Sequence, residues 1–148
     1  MALITYKKAG LKFAAIESFA AGLELTGAEV KAVRSKLGSL DGARVIIRGG
    51  EAFVIGLSIP PYQPANTPAG YDPERPRRLL LKKAEIAYLA EEESKKGLTI
   101  VPFELYNAGR FIKARISIVR GKGKSDKRED LKKKDAQREM DRAMRAKR

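Results

Sequence analysis

The distribution of proline constrains this 148-residue chain more than any other feature, because six of its seven prolines fall at positions 60, 61, 64, 68, 73 and 76. Proline fixes φ and lacks the amide hydrogen a ladder needs, so the stretch from Pro60 to Pro76 cannot run as a central strand. The sequence predicts a long loop there, with structured segments on either side. Loops of this length are uncommon in compact domains and are often functional.

Before the loop, residues 13–59 read mainly as extended chain. The runs Val45-Ile46-Ile47 and Phe53-Val54-Ile55 are separated by Arg48-Gly49-Gly50-Glu51, a hairpin signal. Between Leu25 and Leu37 the period changes. Thr26 is followed three residues later by Glu29, the spacing of a capping box, and Val30, Val33 and Leu37 recur at helical intervals. A short helix is predicted, with Lys31 and Arg34 on its exposed face.

After the loop, Arg77-Arg78-Leu79-Leu80-Leu81 leads into a second helix over roughly 82–95, with Ile86, Leu89 and Ala90 inward and Gly97 as a stop. Two of the three leucines are read as core. Leu98 to Val101 and Phe111 to Val119 are predicted strands joined around Asn107-Ala108-Gly109. Alternation of Ile112, Ala114, Ile116 and Ile118 puts Lys113 and Arg115 on the other face. Short strands at turn-separated spacing suggest a small antiparallel β-barrel, and the oligonucleotide-binding (OB) type fits this size.

Composition narrows the function. Thirty-one Lys and Arg against eighteen Asp and Glu give a net charge of +13, which draws polyanions by phosphate neutralisation and counterion release. Seven of those charges sit in residues 120–148, which hold thirteen basic and six acidic residues. Leu131, Met140 and Met144 are the large apolar residues beyond Asp126, too few to bury a face, so a tail that is disordered alone and helical when bound is expected. Gly121 and Gly123 supply its hinge. One domain over 1–120 and a basic tail over 121–148 follow. No apolar run is long enough for a membrane span and no secretory h-region follows the start, so no membrane partner and a cytoplasmic location are expected.

The chain has no cysteine and no histidine, which removes thiolate metal sites, imidazole bases and His-based triads. Glu91, Glu92 and Glu93 are consecutive and point in different directions on a helix, so they do not converge on a substrate. Gly123-Lys124-Ser125 resembles the end of a phosphate-binding loop, but the glycine needed at position 118 is isoleucine. No enzyme activity, metal or cofactor is expected. Lys31 and Arg34, together with Lys7, Lys8 and Lys12, are candidates for a basic patch, and Tyr6 and Tyr62 for exposed base stacking.

Four segments in order, Leu25-Thr26-Gly27-Ala28-Glu29-Val30-Lys31, Asp72-Pro73 with Arg78-Leu79-Leu80-Leu81, Gly97 through Pro102, and Asp126-Lys127-Arg128-Glu129, resemble the SsrA-binding protein family, small protein B. The resemblance implies an OB-like barrel with two or three flanking helices. It also implies binding to the tRNA-like domain of transfer-messenger RNA and its delivery to stalled ribosomes for trans-translation. Carried over by position, Lys7, Lys8, Lys31, Arg34 and Leu80 belong to the RNA-binding side. Lys122, Lys124, Asp126, Lys127 and Arg128 match the start of a tail that works in the 16S rRNA decoding region, and Met144 matches an apolar position facing the mRNA path. The pattern departs at Ala20, usually acidic, at Gly10-Leu11, usually Arg-His, at Gly123, usually lysine, and at Ser125, usually His or Tyr. A monomer is expected. The rival reading is a generic OB-fold protein of rRNA or ribosome assembly.

Overall fold

The computed structural model describes residues 2–121 and Arg138. In chain order the elements are β1 (Ala2–Thr5), α1 (Ala9–Lys12), β2 (Phe13–Leu23), α2 (Gly27–Arg34), β3 (Arg44–Arg48), β4 (Glu51–Ile55), β5 (Arg77–Leu80), α3 (Lys83–Glu93), β6 (Leu98–Ala108) and β7 (Phe111–Gly121). Apart from Gly121 and Arg138 the predicted tail, with Lys122, Lys124, Asp126, Lys127, Arg128 and Met144, lies outside the described residues.

All strand pairings are antiparallel, in the order β1-β6-β3-β4-β5-β2-β7. β7 also pairs along its length with β6, so the pairings from β6 round to β7 form a circuit. The β3–β4 hairpin turns at Gly49 and Gly50, both at positive φ (61° and 76°), as a two-residue turn between right-twisted strands requires. Inside the sheet lie Ile4, Val45, Val54, Leu57, Leu79, Ile100, Leu105, Ile116 and Ile118, with Leu89 of α3 packed on them. The inward alternation predicted for β7 holds at Ile112, Ala114, Ile116 and Ile118.

The proline-rich stretch is the loop the sequence predicts, with one turn of 3-10 helix at Pro64–Asn66. Three differences from the sequence reading have physical causes. First, β6 runs on past Val101 to Ala108, because a register shift between Pro102 and Glu104 accommodates the missing amide hydrogen of Pro102. Second, α2 stops at Arg34, so Leu37 lies beyond it and is exposed instead of completing its apolar stripe. Third, Ala90 is exposed and Leu89 alone on α3 is fully buried. β1 and α1 are further elements that periodicity did not announce.

Candidate nucleic-acid interface

The register of three neighbouring strands builds one surface row. Gly22 in β2 pairs with Leu80 in β5 on one side and with Lys113 in β7 on the other. Alternation along each strand turns Leu79 and Ile112 inward and Leu80 and Lys113 outward. Leu80 is 52% exposed, in accord with the reading that only two of the three leucines belong to the core. A Cβ at Gly22 would stand 3.4 Å from Leu80 Cβ and Cδ1, so glycine lets the leucine lie over β2. The outcome is an open depression of about 500 Å³ walled by Ala20, Gly22, Arg78, Leu80, Lys82 and Lys113.

Its charge is mainly positive. Arg78 is shared loosely between Glu24 (3.9 Å) and Glu51 (3.5 Å). Lys113 makes no ion pair among the described residues. The one acid in the wall, Glu85, accepts the backbone N–H of Lys82 at 3.0 Å. With alanine at position 20, no carboxylate from β2 opposes an incoming phosphate here. An apolar floor with cations at its rim suits the face of a base and its phosphates.

Arg34, at the last turn of α2, donates from Nε to Asn107 Oδ1 (3.3 Å) and from Nη2 to the Arg110 carbonyl (2.8 Å). It therefore clamps α2 onto the turn that joins β6 to β7. Lys31 lines a separate depression of about 220 Å³ with Tyr62, Gln63, Asn66 and Thr67. Lys7 shares a third with Thr5, Lys36 and Gly38, and Lys8 is the exposed residue preceding α1. No one of these depressions holds two of the five predicted RNA-binding residues. Lys31 and Arg34 stand three residues apart on α2, and Leu80 lies on the outer face that β7 extends toward the turn held by Arg34.

The two tyrosines proposed for stacking separate. Tyr62 is 39% exposed, whereas Tyr6 is only 4% exposed, set edge-on to Phe13 with the Lys12 ammonium over its ring. Tyr6 is thus a core residue, with its backbone N–H donating to the Phe103 carbonyl at 2.8 Å and its ring in the buried cluster.

The sequence reading missed the buried charge cluster behind α2. Thr26 and Glu29 do form the capping box, through Glu29 N to Thr26 Oγ1 (3.2 Å) and Thr26 N to Glu29 Oε1 (3.0 Å). Yet Glu29 is 1% exposed and also receives Arg77 Nε (2.9 Å) and Nη2 (2.6 Å), and Arg75 through a further two hydrogen bonds. Arg77, fully buried, donates in addition to the Leu57 carbonyl at 2.6 Å. Tyr71 donates to the Ile59 carbonyl at 2.8 Å. Both ends of the proline-rich loop are thereby fastened to α2. Burial pushes the Glu29 carboxyl up, but the hydrogen bonds from Arg75, Thr26 and Arg77 outweigh it and hold its pKa at about 2. The Thr-x-x-Glu spacing alone gave no sign of this, because it already accounted for the glutamate.

Comparisons with known proteins converge. The SsrA-binding protein of Azoarcus sp. is 43% identical over 147 residues, covering 99% of each chain. That of Gloeobacter violaceus is 41% identical over 143 residues, 97% of this chain and 93% of its own. Among solved structures, a chain described under "tmRNA-SmpB: a journey to the center of the bacterial ribosome" superposes with a TM-score of 0.70 at 31% identity, over 88% of this chain and 95% of that one. The family model described as SmpB protein matches residues 3–146, and with these relatives it establishes that the chain belongs to the SmpB family.

Proposed function

We propose that this protein binds the tRNA-like domain of transfer-messenger RNA and brings it to stalled ribosomes for trans-translation. The observation that carries this reading is the match, over nearly its whole length, to proteins named for binding SsrA RNA. The physical mechanism is recognition of a folded RNA by shape and phosphates on the outer face that holds Leu80, Lys113 and Arg34. In this reading the strand circuit is an OB-like barrel, residues 1–120 form the RNA-binding domain, and residues 121–148 order as a helix in the decoding region and mRNA path. The protein makes and breaks no bond; it works in the cytoplasm as a monomer.

A salt-series titration tests the reading, comparing the tRNA-like domain with a folded RNA of equal length. Selectivity that persists at physiological salt is expected, because the nonspecific phosphate contribution falls steeply there. Equal binding to both RNAs that collapses with salt refutes it and favours the generic rRNA-binding alternative. Lys31→Glu is expected to weaken binding without unfolding the chain, and truncation after Arg120 to leave RNA binding intact while abolishing rescue in a stalled-ribosome assay.

A further inference from the structure

The most exposed large apolar side chain among the described residues is Phe111, at 70%. It opens β7 immediately after the Gly109-Arg110 turn, and its cross-strand neighbour is Ala108, too small to cover a ring. Strand alternation places Phe111 on the same outer face as Lys113, two residues on, and therefore on the face that carries Leu80. Two residues along the strand and two strand spacings across put Phe111 and Leu80 Cα atoms roughly 12 Å apart. That separation leaves room for a short run of unstacked nucleotides.

Single exposed apolar residues are ordinary on protein surfaces, so exposure by itself assigns nothing. Here cationic residues flank it along the chain: Arg110 precedes it, Lys113 follows on the same face, and Arg34 is anchored on the Arg110 carbonyl at 2.8 Å. The anchor also gives the turn a fixed position relative to α2. An aromatic face on a pinned turn among cations suits a base with its phosphate, and disfavours an apolar protein surface, which would have to strip water from three charges.

Resting on the reading above, we infer that Phe111 is a stacking platform for an unpaired base of the bound RNA, extending the Leu80 face to the β6–β7 turn. The test measures affinity of the full chain for the tRNA-like domain of transfer-messenger RNA and for a fully paired duplex of equal length, both at physiological salt. Phe111→Ala is expected to weaken binding to the tRNA-like domain about ten-fold. Phe111→Trp restores it, Phe111→Leu does not, and duplex binding stays level in all three; thermal melts verify that each variant is folded. Unchanged affinity in Phe111→Ala, full rescue by leucine, or intact RNA binding with a defect only on the ribosome overturns the inference. If the wild-type chain shows no preference for the tRNA-like domain, the functional reading itself fails and the inference falls with it. A wild-type preference that Phe111→Ala leaves untouched removes the inference alone.

Discussion

Replacing Glu29 by glutamine keeps the shape of the side chain and an oxygen to accept the Thr26 N–H, but removes the charge that holds Arg77 and Arg75. Arg77 is fully buried, so its guanidinium loses its counter-charge with no water to replace it. The size of the effect follows from the carboxyl's titration. Its pKa drops from 4.5 to about 2 on folding, and at about 1.4 kcal/mol per unit this is worth about 3 kcal/mol. The folded-state value lies below the unfolded one, so this stability is complete above about pH 5 and is lost as pH falls toward 2. Urea unfolding followed by circular dichroism gives the assay. At pH 7 the variant is expected to be less stable by about 3 kcal/mol, a large part of the 5–15 kcal/mol typical of a domain. Between pH 5 and pH 2 the difference closes, because the protonated glutamic acid and the glutamine become alike. Equal stability at pH 7, or a difference that stays constant across that range, refutes the account.

Two other perturbations address the surface. Gly22→Val pushes a branched side chain into Leu80, which lies 3.4 Å from where a Cβ would stand, so the depression narrows and affinity for the tRNA-like domain is expected to fall about ten-fold; filter binding beside Leu80→Asp checks whether both act on one face, with similar losses expected. The Tyr88 hydroxyl donates to Glu17 at 2.6 Å, and that hydrogen bond raises its pKa to about 12. Glu17→Gln is expected to bring it back toward 10, read as an earlier rise in tyrosinate absorbance in an alkaline titration.

What was legible in the sequence was what local patterns determine. Gly49-Gly50 fixed the β3–β4 turn, the alternation Ile112 to Ile118 fixed the inward face of β7, and the prolines marked the loop. What stayed hidden depended on partners far along the chain. Glu29 meets Arg75 and Arg77, 46 and 48 residues away, so nothing within a helical turn revealed its burial. Tyr6 became core through Phe103 and Phe13, and β6 outran its proline through a bulge whose need is set by the partner strand. Of the interface, Arg34 was read as an exposed helix cation and again by resemblance, Leu80 was assigned to it by resemblance, Lys113 was read only as outward-facing and Phe111 only as a strand residue. Their significance lies in the register through Gly22, which no single segment encodes.

That same strand β7 fixes a length. It begins at the Arg34-clamped turn and ends at Gly121, ten residue steps later, and each step advances about 3.3 Å. The turn end of the proposed RNA face and the point where the basic segment begins are thus held roughly 33 Å apart by a strand paired on both sides. In the proposed reading β7 serves as a ruler, setting the span between the RNA face and the start of the basic segment. Its calibration is the residue count of one strand, so a matched two-residue deletion in β7, β2 and β6 would shorten the reach by nearly 7 Å while keeping each remaining side chain on its own face.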